Sequence, residues 1–485
     1  LLAGCGSTVP TGTVAGRAPG SALGTDSGLT VATGPGAAGG GAPTVGVPGP
    51  ALVTDQGPAL TPGAGVVGPT TSVGSSVSGA QAQRPGPGVT ATSVAVGVMI
   101  ADDTKAANSA LGAGAVTHGD EEAEYRAAVE DLNRRGGAAG RKVTLVEFHF
   151  DMTTGASTDA IEQQACSYFT EDHRVAVVLN APLTDVGLQC LSTRGVAVFG
   201  TSLSDSTDQT FARFPRYLEP LAMSLSRLVV NYADGMHALG FLPANAKVGL
   251  LSFDVPRFVR ATAQLRQALA RHGRTLHEVA AVKYAEQQSE LGQQSADISS
   301  AVLRFRSSGI THVLFLDPSG VSELLFMNNA ESQHYRPRYG FGQSMAAALR
   351  STGVPAAQFV NSVTVGWFPR LDGVRGATYP PAEKACLELF TRRGISFDSD
   401  NARRHAGDIC DSFSFFALAV SRVRGALNAD TLVAAARSAP PLSTAGTYRV
   451  ALTGGRTDGV DLVRYSAYVA DCDCWQYRSG LQRAS

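Results

Sequence analysis

Six short polar runs, each closing an apolar stretch, carry the side chains best suited to chemistry. They are Asp102-Asp103-Thr104, Asn180-Ala181-Pro182-Leu183-Thr184, Thr201-Ser202-Leu203-Ser204, Phe253-Asp254, Asp317-Pro318-Ser319 and Gly342-Gln343-Ser344. The second and third offer an amide, hydroxyls and backbone N–H groups at helix starts, a cradle for a carboxylate. The last three add carboxylates, an amide and hydroxyls from a different part of the chain. Trp367 offers an apolar wall or packs at a hinge. The same Ser and Thr side chains also suit helix N-caps, so two readings stand for each.

Two other constellations bear on catalysis and metals. Gly342-Gln343-Ser344-Met345-Ala346 has the shape of a nucleophile elbow with Ala at its last position, and Asp372 and His405 follow in order. His405 falls in the polar run 401–405, which is predicted as a loop, and the elbow serves equally as a ligand loop. Gly340-x-Gly342 lacks the third glycine of a dinucleotide fingerprint. Beyond Cys5 there are Cys166, Cys190, Cys386, Cys410, Cys472 and Cys474. Cys166 and Cys190 lie on helices after neighbouring strands and are expected to pair, as are Cys386 and Cys410 on consecutive helices. Cys472 and Cys474 pair locally or cross elsewhere. A lone C-x-C without a nearby His does not make a zinc site, so neither metal nor cofactor is expected.

The elements that place these runs alternate in type. A Val-rich strand over 94–100 leads through a loop to a helix with Tyr125, Ala128, Val129 and Leu132 on one face, and then to a strand over 143–150. That is the length of a parallel βαβ crossover. Further strands are predicted over 175–179 and 196–199, and 211–217 is predicted as an extended segment leaving the sheet. A second βα series runs from 247 to 341. Another crossing is expected at 362–367, helices at 382–393 and 408–427, and strands at 447–452 and 461–469. The α/β class follows, with parallel sheets covered by helices.

Lys+Arg number 40 against 41 Asp+Glu, a formal charge of −1, so no basic field for nucleic acid exists. From 6 to 90 the chain has no aromatic residue and only Arg17, Asp26, Asp55 and Arg84 as charges. Gly and Pro exceed the share of about 25–30% that marks low-complexity chain, and a disordered tether is expected there. The opening Leu1-Leu2-Ala3-Gly4-Cys5 resembles a bacterial lipobox, which implies lipidation at Cys5 after removal of a signal peptide.

The run Asp131-Leu132-Asn133-Arg134-Arg135-Gly136-Gly137-Ala138-Ala139-Gly140, followed by a strand ending at Asp151, resembles type I periplasmic binding proteins of the branched-chain amino-acid group. The resemblance spans about 94–468. It implies two Rossmann-like βα lobes joined by a multi-strand hinge. The expected layout is lipobox remnant 1–5, tether 6–90, lobe 1 at 91–216, lobe 2 at 217–362, lobe 1 completion and hinge crossings at 363–470, and tail 471–485. It also implies capture of a small solute, such as an amino acid, amide or small organic acid, for the permease subunits of an ABC importer. Such a protein would be lipid-anchored on the outer face of the cytoplasmic membrane and would not be an enzyme. By carry-over, Thr184, Thr201 and Ser202 hold the ligand carboxylate, with Asn180 beside them. Phe253, Asp254, Asp317, Ser319, Gln343, Ser344 and Trp367 complete the site. Gln343 stands where amino-acid binders place a carboxylate, and Asp317 is the available substitute. The loop 101–119 is expected to overhang the cleft. The alternatives are a tethered sensor or scaffold that binds a protein partner, and a serine hydrolase.

Overall fold

The computed structural model describes residues 84–110, 117–151, 155–285, 290–342 and 346–485. Cys5, Gln343 and Ser344 lie outside them.

Val94, Val96 and Val98 are fully buried, as a strand covered on both faces requires. This strand, β1 (Ser93–Asp102), pairs in parallel with β2 (Lys142–Asp151) over its whole length. On its other side lie β3 (Val177–Ala181), β4 (Ala197–Gly200) and β5 (Tyr217–Leu218), giving a parallel sheet ordered β2-β1-β3-β4-β5. The helix between β1 and β2, α2 (Glu121–Arg134), follows the short α1 (Thr104–Ala110), which occupies part of the expected overhanging loop. The motif at its end has a specific task. Asn133 donates to the Val143 carbonyl at 2.9 Å and accepts the Val143 N–H at 2.7 Å, so the helix end is stitched to β2 like one more strand residue. Gly137, at φ +71°, packs so closely that a Cβ would lie 2.0 Å from the Arg141 carbonyl oxygen.

Helices α3 (Thr158–Ser167) and α4 (Asp185–Thr193) cover one face of this sheet, tied by a Cys166–Cys190 disulfide. The other face is covered by α2 and by three helices from late in the chain: α11 (Pro381–Thr391), α12 (Asp400–Ser421) and α13 (Ala429–Arg437). Cys386 joins Cys410 across α11 and α12. The helix α12 starts eight residues before its predicted position because Ser399 caps it, accepting the Ala402 N–H at 3.0 Å. His405 therefore lies on a helix, not in a polar loop.

Segment 211–217 likewise does not leave the sheet as an extended run. Phe211 and Phe214 are buried at α5 (Asp208–Arg213), and Tyr217–Leu218 remains in the first sheet as its edge. The chain leaves after β5 through 219–224 into α6 (Leu225–Ala238) and the second lobe. There β6 (Val248–Phe253), β7 (Leu276–Val282), β8 (His312–Phe315), β9 (Arg338–Phe341) and β10 (Val363–Gly366) run parallel. The helices of this lobe are α7 (Pro256–Arg271), α8 (Leu291–Ser307), α9 (Val321–Ser332) and α10 (Ala346–Ser351). Antiparallel β11 (Leu462–Val469) follows β10, with β12 (Cys474–Tyr477) and β13 (Gln482–Arg483) paired to it. Residues 471–485, expected as a tail, thus extend the second sheet, and Cys472 is bonded to Cys474.

The chain crosses between lobes at 219–224, 367–380 and 438–461. Two of the crossings are knitted together: Glu219 N–H donates to the Thr457 carbonyl at 2.8 Å and Gly459 N–H to the Glu219 carbonyl at 2.9 Å. Asp458, buried, accepts the Ser224 N–H at 2.6 Å and pairs with Arg227 at 2.7 Å.

Each helix–helix disulfide joins residues 24 positions apart, a loop whose closure is worth about 3 kcal/mol in the chain-entropy model. Replacing both Cys166 and Cys190 with Ser should lower unfolding free energy by about 2–4 kcal/mol in urea titrations. An unchanged midpoint would show that the bond contributes nothing.

Candidate functional site

The polar residues at the ends of the first-lobe strands are largely taken by the protein itself. Thr184 caps α4, and its hydroxyl and N–H donate to the buried Glu162 carboxylate at 2.7 and 2.6 Å. Gly187 N–H donates to the same carboxylate at 2.7 Å. The helix start that would cradle a ligand carboxylate is filled by Glu162. Burial pushes this carboxyl above its ordinary value, and the three donors offset part of that. Asn180 sits in the left-handed region at φ +53° and donates to the Tyr125 hydroxyl at 2.9 Å. Ser202, buried, donates to Asp408 at 2.7 Å and accepts from Arg404 at 2.7 Å, while Arg404 pairs with Asp408 at 2.5 Å. Thr201 turns its hydroxyl to the Leu203 N–H at 3.2 Å.

In the second lobe, Asp317 accepts the Ser319 hydroxyl and N–H and the Ser322 N–H, each at 2.7 Å. Phe253 is buried edge-on against Tyr284, and Asp254 is exposed, accepting the Tyr284 N–H at 3.3 Å. Trp367 is fully buried in the second-lobe core and forms no wall. Asp372 accepts from the Tyr448 and Tyr477 hydroxyls, and His405 faces Glu121, so neither stands as the relay of a hydrolase.

Between the lobes a different set converges. Part-buried Asp205, from the loop after β4, lies within electrostatic reach of Arg257 at the start of α7. Arg257 stacks its guanidinium over Tyr284 at 5.0 Å and Phe258 at 5.2 Å. Its Nε is buried without a hydrogen-bond partner among the described residues. Asp317, Glu323, Ser204, Leu225, Leu228, Phe315 and Gly342 line the adjoining cavity, only about 10 Å³, on the order of one water. A cavity of this size holds nothing larger than a water. Strand-end reasoning applied to β7 would have found Tyr284; Asp205 lies one residue past the predicted run. Arg257 and Glu323 sit in helical first turns, where the sequence shows only helix patterning.

Burial, with Asp317 beside it, raises the Glu323 carboxyl well above its ordinary 4.5. The unfolded chain then releases this proton first, so its stabilising contribution is complete below about pH 4.5 and declines as pH rises towards the folded value. Glu323→Gln should flatten this decline in Tm between about pH 5 and 8; parallel curves for the two proteins would contradict a neutral Glu323. Arg404→Met leaves Asp408 buried and unpaired and should cost about 3–5 kcal/mol in urea unfolding. A loss below 1 kcal/mol, within the ~0–1 kcal/mol range of surface pairs, would show that the pair is not a buried one.

A family model described as periplasmic binding protein matches residues 111–460. A search of curated proteins finds no significant relative. Among solved structures, a substrate-binding protein of an ABC transporter from Desulfitobacterium hafniense, in complex with Leu, is 14% identical over 79% of this chain and 99% of that one, with a TM-score of 0.54. A solute-binding protein from Rhodopseudomonas palustris BisB5, in complex with 3,4-dihydroxybenzoic acid, is 13% identical over 81% and 98%, at 0.56. A fatty acid ABC transporter substrate-binding protein from Thermomonospora curvata is 14% identical over 84% and 96%, at 0.56. At these identities the structures share a fold with this chain.

Proposed function

The chain belongs to the periplasmic binding protein family, and we propose that it is an extracytoplasmic, lipid-anchored protein that captures a small polar solute between its lobes for an ABC importer. The observation that supports this reading is that Arg257, its Nε buried without a hydrogen-bond partner among the described residues, lies within electrostatic reach of Asp205 from the other lobe. Closing such a seam on a ligand desolvates its polar groups and makes both charges count. The solute is an amino acid, amide or small organic acid. The named ligands of the three similar structures all carry a carboxylate. In this chain Glu162 fills the α4 start, which leaves Arg257, with its unpartnered Nε, as the group to receive one. Lipidation rests on the lipobox-like Leu2-Ala3-Gly4-Cys5. No helix among the described residues is long and apolar enough to cross a membrane.

A thermal-shift panel of amino acids, amides and small organic acids should include a solute that raises Tm. Arg257→Met should abolish that shift, whereas Thr184→Ala should keep it. No response to any member of the panel, or a response that survives Arg257→Met and disappears with Thr184→Ala, would overturn the assignment.

A further inference from the structure

Outside the seam, the first lobe brings two histidines and a glutamate together from distant parts of the chain. His118 precedes α2, Glu121 opens it and His405 lies on α12. One ligand atom from each lies within 4.8 Å of the other two. His118 Nδ1 is 2.9 Å from Glu121 Oε1, and His405 Nε2 is 3.7 Å from the same oxygen. The imidazoles stack in parallel, centroids 4.7 Å apart and planes 5° apart. We propose that His118, Glu121 and His405 form a binding site for a divalent transition-metal ion of the zinc type.

The donor set is the first argument. Two imidazole nitrogens and one carboxylate suit Zn²⁺ or Co²⁺, whereas Mg²⁺ and Ca²⁺ prefer oxygen ligands. Three protein ligands leave a coordination position open. His118 and Glu121 also line a pocket of about 550 Å³ together with Asp102, Asp103, Asp120, Glu122 and Asp398, with Lys105 as the one Lys or Arg among its described lining residues. Such a lining draws cations and repels anions.

The ligands are also held in place. Asn401 donates to the Thr117 carbonyl at 2.8 Å, and the Thr117 hydroxyl meets Ser399 at 2.8 Å, fixing the residue before His118 against the start of α12. His405 Nδ1 is buried with no hydrogen-bond partner among the described residues, so no fold contact dictates which nitrogen carries the proton. A second cluster, Glu122, Glu147 and His149, is weaker: Arg126 already pairs with both glutamates.

The test uses tag-free chain stripped with a chelator and titrated with Zn²⁺ by calorimetry and with Co²⁺ by visible absorption. One equivalent of each metal should bind, and Co²⁺ should give ligand-field bands of a low-coordinate N/O site. His118→Ala, at a part-exposed position that the core does not need, should weaken Zn²⁺ binding at least about 100-fold while Tm without metal is retained. His405→Gln should do the same, and His149→Ala should change nothing. Absence of binding, or binding that survives His118→Ala and is lost in His149→Ala, would overturn the proposal.

Discussion

Asp458 is the carboxylate on which the arrangement of the two lobes depends. It is 2% exposed and holds both the Ser224 N–H, where α6 begins, and Arg227 one turn later. The first and third crossings are thereby bound to each other beside the backbone bridges at Glu219 and Gly459. A buried charge with one guanidinium partner and one helix-start N–H is costly to disturb, so the crossings act as one hinge element. Asp205, in the loop after β4, lies within electrostatic reach of Arg257 at the start of α7.

A second principle operates within the first lobe, where carboxylates of the chain occupy positions that a ligand group would otherwise take. Glu162 satisfies the N-terminus of α4, and Asp408 with Arg404 satisfies Ser202. Asp411 does the same for the backbone of Ala445 and Gly446, at 2.7 and 2.8 Å, drawing α12 against the third crossing. A Cβ at Gly407 would lie 2.8 Å from the Gly446 nitrogen, a measure of how close that approach is. At the seam Arg257 keeps a buried Nε without a hydrogen-bond partner among the described residues.

The fold was legible in the sequence because parallel strands buried on both faces are written as short Val-rich runs, and because Asn133 to Gly140 encodes a helix end stitched to a strand. The start of α12 was hidden because its first turns bury polar residues, Arg404 and Asp408, where periodicity looks for apolar ones. The short helix at 208–213 was hidden for a different reason: its capping box, Thr207 with Thr210, carries none of the usual acidic partner. Strand-end reasoning reached Asn180, Thr184, Ser202 and Asp317, but not what they touch. Ser202 and Asp408 are 206 residues apart, and Thr117 and Ser399, beside the two histidines, are 282 apart. Spacing rules for metal ligands or N-caps carry no information at that range; only the packing of α12 onto the first sheet brings these groups together.

Native mass spectrometry of the folded chain offered amino acids, amides and small organic acids tests the central claim most directly. The account predicts a single solute bound at one per chain by the parent protein and absent from Arg257→Met under the same conditions. A parent protein that retains no small molecule, or an Arg257→Met variant that retains the same one equally well, would contradict a solute site at the lobe seam.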